Sequence, residues 1–169
     1  MTSPAHDLTT TRAITRATLR PATDADRDFL RDVYASTRDE ELSQVAWAEG
    51  QREAFVQMQF DLQDTQYRAN NPHGSFDVIE VDGRPAGRLY VDRRPTDIRI
   101  VDIALLPQFR GAGTGAQLLR QVIDEARASG RTASIHVEVH NPAANLYARL
   151  GFVVAAELGL YRRMEWSPR

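Results

Sequence analysis

Residues 105 to 115 read Leu105-Leu-Pro-Gln-Phe-Arg-Gly-Ala-Gly-Thr-Gly115, and this glycine-rich stretch lies between a predicted strand and a predicted amphipathic helix. Glycines allow the backbone to pass close to a ligand, and the N–H groups of a helix's first turn have no partner inside the helix. Those N–H groups and the partial positive charge of the helix end attract anions. The stretch therefore predicts a binding site for a pyrophosphate group.

Two other phosphate-binding motifs can be compared with this loop. The segment from Gly111 to Ala116 also matches the G-x-G-x-x-A pattern of dinucleotide-binding proteins. That pattern normally opens a parallel sheet, whereas here it follows an antiparallel hairpin and leaves fewer than 60 residues for further crossovers. No Gly-Lys-Ser/Thr follows the glycines, so a Walker A loop is excluded. An NAD(P)-binding protein remains an alternative.

The segments around the loop predict a mixed sheet flanked by helices, which is a mixed α/β fold. Upstream, a hairpin turns at Asp82-Gly83, and a third strand with apolar residues on both faces follows it. Downstream, helices alternate with a crossover strand before two final strands. The predicted segments are strands 76–81, 87–91 and 98–105, helix 113–128, strand 132–139, helix 142–150, and strands 152–156 and 160–166.

The N-terminal part predicts a tail, a short strand and two helical regions. Residues 1–15 lack periodicity and are predicted to be a mobile tail, so one domain spans residues 16–169. Thr23 can cap the first helix. Ser43 is predicted to open the second helical region, which stops by Asn70-Asn71-Pro72. Two apolar stripes predict that this second helix is covered on more than one side; they are Phe55, Met58, Leu62 and Val56, Phe60, Tyr67.

Composition excludes several classes of function. The net charge of -2 gives no basic field for nucleic acid, and no apolar run is long enough to span a membrane. The chain has no cysteine, so disulfides, thiolate metal sites and an acetyl-cysteine intermediate are excluded. We expect a soluble cytoplasmic protein; the oligomeric state stays open, with a homodimer as one option.

Two motifs in the observed order resemble the GNAT superfamily of acetyl-CoA-dependent N-acetyltransferases. They are Gln108-x-x-Gly111-x-Gly113 and the segment Asn141-Pro-Ala-Ala-Asn-Leu-Tyr-Ala-Arg-Leu-Gly-Phe152. The resemblance implies that acetyl-CoA is the co-substrate and that no metal is needed. The implied contacts with coenzyme A involve Ile103, Ala104 and Leu105 along the pantetheine arm, Gln108 in the motif, Arg110, Gly111, Ala112, Gly113, Thr114 and Gly115 at the pyrophosphate, and Asn141 and Tyr147.

Transfer of an acetyl group to an amine needs donors for the thioester oxygen, an acid for the thiolate and a base for the amine. The resemblance implies that a backbone N–H near Leu105 is the donor and that Tyr147 is the acid. The alternative for Tyr147 is packing, since it shares an apolar stripe with Ala143, Leu146 and Leu150.

The strand from Ser134 to His140 has one apolar face and one polar face, which suggests a hydrated cavity. Glu138 on the polar face is the first choice for the base; the alternative is that it holds a neighbouring cation. Asp102 is the second choice, because it is the single charge among apolar neighbours, and a structural role is the alternative. The spacing of His136, Glu138 and His140 also resembles metal ligands, but we expect no metal.

The acceptor amine is not identified by the sequence. Asp39, Glu40 and Glu41 could attract a cationic amine, and the alternative is that they remain in solvent at a helix N-terminus. Trp47 could line the acceptor pocket or the core, and Tyr90 and Tyr161 are further candidates for the cleft.

The sequence thus predicts an acyl-CoA-dependent N-acetyltransferase that transfers acetyl directly, in a ternary complex, to a primary amine of a small molecule or peptide. The alternative of another class is a non-catalytic acyl-CoA-binding sensor.

Overall fold

The structure is a computed structural model that describes residues 16–169, and the predicted tail of residues 1–15 lies outside the described residues. Within that range, strands form one mixed sheet in the order β1-β2-β3-β4-β5-β7-β6. The strands are β1 (Ala17–Pro21), β2 (Ser75–Val81), β3 (Arg84–Arg93), β4 (Asp97–Leu105), β5 (Thr132–Glu138), β6 (Val153–Leu158) and β7 (Tyr161–Trp166). Only the β4–β5 pair is parallel in this sheet, so the predicted mixed α/β fold is confirmed.

Helices cover both faces of the sheet. They are α1 (Arg27–Thr37), α2 (Asp39–Ser43), α3 (Gln51–Asn70), α4 (Thr114–Ser129) and α5 (Ala143–Arg149). Ile79 on β2 packs in the core cluster that contains the buried face of α4, whereas its neighbour Val78 packs in the cluster of α1 and α3. Consecutive residues of a strand point to opposite faces, so α4 and the α1–α3 pair lie on opposite sides of the sheet. None of the helices in residues 16–169 is long and apolar enough to cross a membrane.

Strands β4 and β5 separate near the middle of the sheet. They pair from Asp97 with Thr132 to Ile100 with Ile135, but β4 continues to Leu105 and β5 continues to Glu138. Leu106 donates its N–H to Ala86, so it points toward β3. Since alternate residues of a strand direct their N–H groups to opposite sides, Leu105 and Ile103 direct theirs into the gap between β4 and β5.

The second helical region differs from its prediction in two ways. Ser43 ends the short helix α2, and the long helix α3 begins only at Gln51, after Gly50 with a left-handed φ of 74°. Only one apolar stripe of α3, with Val56 and Phe60, is buried. The prediction that several sides are covered is wrong for the described residues, where the other stripe is 38%, 51% and 54% exposed at Phe55, Met58 and Leu62.

Candidate active site

The glycine loop presents free backbone donors where α4 begins. Gly111 and Gly113 have φ angles of 76° and 84°, values that favour glycine. Among the described residues, no backbone hydrogen bond leaves the N–H groups of residues 111 to 116. The hydroxyl of Thr114 is buried and likewise has no partner in this part of the chain. An anion of the size of a pyrophosphate would satisfy these donors.

Arg110 fixes the loop to the end of β4. Its Nε atom donates to the carbonyl oxygen of Leu105 over 2.8 Å, while its own backbone N–H donates to Pro107 over 3.2 Å. Gln108 lies in the short 3-10 helix Pro107–Phe109 and is exposed. Gln108 does not line the cleft beside this turn, so its contact with coenzyme A stays a prediction.

A cleft of about 590 Å³ runs from the loop along the free edge of β4, and we call it the loop cleft. Residues of α1 and α2, among them Ser36 and Glu40, also line it. Of the residues predicted to contact coenzyme A, seven line it; they are Ile103, Ala104, Leu105, Arg110, Gly115, Asn141 and Tyr147. Gly111, Ala112, Gly113 and Thr114 lie in the adjoining turn. The sequence motifs thus mark one continuous surface.

Helix α5 brings Tyr147 to the inner end of the loop cleft. The Oδ1 atom of Asn141 accepts the N–H of Ala143, the first residue of α5, over 2.9 Å, which leaves the amide nitrogen of Asn141 as a donor. Tyr147 is 6% exposed and packs against the ring of Phe152. Burial, with a further contribution from the charge of Asp102, raises the pKa of Tyr147 to about 12. Its hydroxyl therefore keeps its proton at neutral pH.

A second cavity of about 440 Å³ lies in the gap where β4 and β5 separate, and we call it the split cavity. Residues that line both the split cavity and the loop cleft include Ile103, Ala104, Asn141 and Tyr147. Glu138 lines the split cavity with 46% of its side chain exposed, and its Oε1 atom lies 3.7 Å from Nη1 of Arg38. The predicted base therefore faces the same space as Tyr147 and has a cation beside it.

Asp102 also lines the split cavity, but it is committed to an ion pair. Its Oδ2 atom lies 2.5 Å from Nε of Arg88, a side chain that is almost completely buried. Nη2 of Arg88 donates to Oε1 of Gln63 on α3 over 2.8 Å. The arrangement matches the structural role that the sequence left open for Asp102.

The polar face predicted for β5 lines a cavity in part, since Ser134 on the same face is completely buried. His136, Glu138 and His140 all line the split cavity. Nη1 of Arg99 lies 3.3 Å from the ring nitrogens of His136, and partial burial together with the charges of Arg99 and Arg163 lowers the pKa of His136. Within residues 16–169, no three acidic or histidine side chains are grouped as metal ligands would be.

Some of the residues considered for the acceptor pocket line the split cavity, and others pack inside the fold. Glu40 and Glu41 line the split cavity, as does Tyr161. Trp47 instead packs against Phe55 and donates its indole N–H to the carbonyl oxygen of Leu42 over 2.8 Å, so it belongs with the α1–α3 cluster. Tyr90 is buried under the rings of Tyr67 and Phe76.

Sequence reasoning missed Arg88, Arg38 and Gln63, which all line the split cavity. One signal for Arg88 was present, since it is the only charged residue in the segment from Ala86 to Val91. Such a residue is rarely buried without a partner. No comparable signal marks Arg38 or Gln63, whose positions depend on how α1 and α3 pack against the sheet.

Comparisons with known proteins agree with this geometry. The model of the acetyltransferase (GNAT) family matches residues 30–152. A Bacillus subtilis (strain 168) protein described as a "putative ribosomal protein bS18-alanine N-acetyltransferase" is 35% identical over 83 residues, which are 48% of this chain. The match spans about half of that relative, 55% of its length.

Solved structures share the fold at low sequence identity. The PaiA N-acetyltransferase of Thermoplasma acidophilum in complex with coenzyme A has a TM-score of 0.66 and 16% identity, covering 90% of this chain and 99% of that one. The spermidine N-acetyltransferase of Vibrio cholerae in complex with CoA and spermine has a TM-score of 0.61 and 19% identity, covering 89% and 95%. Since the family model spans more than half of the sequence, the chain belongs to the acetyltransferase (GNAT) family.

Proposed function

We propose that this protein transfers the acetyl group of acetyl-CoA directly to a primary amine of a small molecule or peptide. The observation that carries the proposal is the junction of the two cavities. The loop cleft leads from the free donors of the glycine loop along the free edge of β4, and the split cavity brings carboxylates to the same segment of that strand, at Ile103 and Ala104. Tyr147 lies where the two meet.

The residues of the loop cleft fit coenzyme A. The free N–H groups of residues 111 to 116 and the unpartnered hydroxyl of Thr114 would hold the pyrophosphate. The N–H of Ile103, directed into the gap, would pair with the amide groups of the pantetheine arm, and the side-chain amide of Asn141 would donate to the same arm. Acetyl-CoA, when bound, supplies the acetyl group and a thiolate leaving group.

The side chains at the junction then have separate tasks. Glu138 would accept a proton from the amine, directly or through water. The N–H near Leu105 would donate to the thioester oxygen as negative charge develops there. Tyr147, whose raised pKa keeps it protonated, would give its proton to the thiolate. The absence of cysteine from the sequence supports this direct transfer over a route through an acetyl-cysteine.

Asp102 is the weaker candidate for the base. A carboxylate that accepts a proton would leave the buried Arg88 without its counter-charge, and such an uncompensated charge is costly. Glu138 carries no comparable penalty, because its partner Arg38 also pairs with Glu41 over 3.2 Å. This difference supports Glu138 as the base and Asp102 as a positioning residue.

The test is a thiol-release assay with acetyl-CoA and a panel of polyamines, aminoglycosides, amino acids and peptides. Spermidine and a peptide with an N-terminal alanine belong in the panel because similar proteins are described as acting on spermidine and on an alanine of a ribosomal protein. We expect turnover with at least one acceptor and a large loss of kcat in Tyr147→Phe and Glu138→Gln. Binding of acetyl-CoA without turnover of any acceptor would favour the sensor, and failure to bind acetyl-CoA in calorimetry would overturn both.

A further inference from the structure

A third cavity adjoins the split cavity on the side away from Tyr147, and its charge is opposite. It has a volume of about 520 Å³ and we call it the arginine pocket, after Arg94 and Arg99 in its wall. The split cavity is lined by four carboxylates, Glu40, Glu41, Asp102 and Glu138, and by two guanidinium groups, Arg38 and Arg88. The arginine pocket is lined by two guanidinium groups and by no carboxylate among the described residues.

The two cavities form one groove. Tyr67, Val101, His136 and Tyr161 line both of them. The groove therefore begins beside Tyr147 with an excess of negative charge and ends at the arginine pocket with an excess of positive charge. A molecule that lies along it meets acidic groups at the end where acetyl transfer is proposed and basic groups at the other end.

Arg99 is held in the pocket mainly by neutral groups. Its Nε atom donates to Oγ of Ser134 over 2.7 Å, and its Nη1 atom lies 3.3 Å from the ring of His136. The nearest carboxylate, Asp97, is 3.9 Å from Nε and already accepts the hydroxyls of Thr132 and Ser134. Burial, with the positive charges of Arg94 and Arg163, lowers the pKa of Arg99. The groups around Arg99 therefore compensate its positive charge only in part.

Arg94 completes the cationic end of the pocket. Its Nη2 atom donates to the side-chain oxygen of the buried Asn71 over 3.3 Å, and its Nε atom donates to Asp92 over 2.9 Å. Arg94 thus has one neutral partner and one carboxylate partner, whereas the nearest carboxylate to Arg99 is 3.9 Å away. An anion at this end of the groove would add negative charge beside Arg99 and accept hydrogen bonds from the guanidinium groups, for which carboxylates and phosphates are well suited.

The spacing of residues along β4 and β5 gives the approximate distance between the acidic and the basic end of the groove. His136 and Glu138 are two residues apart on β5, and Arg99 and Ile103 are four residues apart on β4. At a rise of about 3.3 Å per residue, these separations correspond to about 7 and about 13 Å. On the basis of the proposed function, we infer that the acceptor is an amine that carries an anionic group about 7 to 13 Å from its nitrogen, with the anion bound by Arg94 and Arg99.

Matched acceptors that differ only in charge test this inference. One pair is 6-aminohexanoate and 6-aminohexanamide, and a second pair is the amidated tripeptides Ala-Ala-Asp and Ala-Ala-Asn. We expect kcat/KM to favour the carboxylate of at least one pair by about tenfold or more, as expected for a charge-assisted hydrogen bond in a partly buried site. The pair that shows the preference identifies a small molecule or a peptide as the source of the anion.

Variants locate the preference. Arg99→Gln and Arg94→Gln should each reduce it to about threefold or less, because each removes one of the two cations that face the anion. Arg94→Gln is the second variant because the side chain of Arg94 is half exposed, whereas loss of Arg99 could disturb the sheet. Arg93→Gln is the matched control, since Arg93 is paired with Glu125 and does not line the pocket, and it should keep the preference.

Failure of this inference is distinguishable from failure of the proposed function. Equal kcat/KM for both members of each pair, or a preference that survives both pocket variants, would overturn the inference while leaving acetyl transfer intact. If no acceptor is acetylated, calorimetry with the two aminohexanoic compounds on the protein saturated with coenzyme A decides instead. Tighter binding of 6-aminohexanoate that is lost in Arg94→Gln would support the inference, and equal affinity would overturn it.

Discussion

The Nη1 atom of Arg38 lies 3.7 Å from Oε1 of Glu138, so a cation from the end of α1 faces the proposed base across the split cavity. Both side chains are partly exposed, and pairs of this kind contribute about 1 kcal/mol or less to stability. Arg38 therefore orients Glu138 without holding it in a fixed pair. This arrangement is compatible with the role of proton acceptor proposed for Glu138.

Glu138→Gln should lower kcat by about 10²- to 10⁴-fold at neutral pH, because it removes the proposed proton acceptor. The KM for acetyl-CoA and the free energy of unfolding should change little, since the side chain is 46% exposed and lies outside the loop cleft. Steady-state kinetics and chemical denaturation measure the three quantities. Glu157→Gln is the control, because Glu157 on β6 is exposed and pairs with Arg162. Equal activity of both variants would remove Glu138 from the reaction.

Asp102→Asn should destabilise the fold by about 3 to 5 kcal/mol, because the buried Arg88 loses its counter-charge. Denaturant titration of the variant against the wild type measures the change. If the free energy of unfolding of the variant instead stays within about 1 kcal/mol of the wild-type value while kcat falls sharply, Asp102 is a reacting group. Asp102 would then replace Glu138 as the proposed base.

The parts of the site that the sequence predicted are those fixed by local backbone chemistry. The glycine pattern predicted a loop with unusual backbone freedom, and Gly111 and Gly113 both have positive φ angles. Because side chains alternate along a strand, His136 is expected on the face opposite to Ile135 and Val137. In the structure His136 is exposed and its two neighbours are buried. Short-range periodicity is sufficient for such features.

The parts that the sequence did not predict depend on contacts between distant segments. The partner of Asp102 is Arg88 on the neighbouring strand, and the partner of Glu138 is Arg38, which lies between α1 and α2, 100 residues earlier in the chain. The sequence also did not predict the residue at which α3 begins. The helical region was predicted to open at Ser43, but Gly50 is in a left-handed conformation and α3 begins only at Gln51, while Trp47 in the intervening segment donates to the carbonyl oxygen of Leu42.

Tyr147→Phe should lower kcat by about 10²-fold or more while the protein remains folded, because the buried ring is retained and only the hydroxyl is lost. The pH dependence of kcat in the wild type provides a second test. Because the pKa of Tyr147 is raised to about 12, the hydroxyl stays protonated as the pH rises past the usual tyrosine range. The kcat of the wild type should therefore show no alkaline loss up to about pH 10.5, whereas an unperturbed tyrosine acid would titrate near pH 10. A descending limb centred there would contradict the assignment.

Asp26→Asn should destabilise the protein by about 1.5 to 3 kcal/mol at neutral pH, the range for hydrogen bonds to charged groups. The carboxylate of Asp26 accepts bonds of 2.8 Å from both Nη atoms of Arg20 and from the N–H of Thr23. Arg20 first, and then Thr23, hold the pKa of Asp26 well below its usual range. A depressed folded pKa contributes stability that is complete above the unfolded pKa of about 3.9 and is lost as the pH falls toward the folded value. The difference between variant and wild type should therefore shrink below about pH 4, and a constant difference would contradict the ion pair.

Gly113→Ala and Gly83→Ala separate the cost of backbone strain from the loss of cofactor binding. Gly113 in the loop and Gly83 in the β2–β3 turn have φ angles of 84° and 75°, and an added Cβ at either site meets no protein atom within 4 Å. Both substitutions should therefore lower the free energy of unfolding by a similar amount, about 1 to 2 kcal/mol for a left-handed alanine. Only the Cβ at position 113 would stand where the free N–H groups are proposed to meet the pyrophosphate. Calorimetry should accordingly show at least about a tenfold loss of coenzyme A affinity, about 1.4 kcal/mol, in Gly113→Ala and none in Gly83→Ala. Equal affinities in the two variants would mean that the loop does not hold the cofactor.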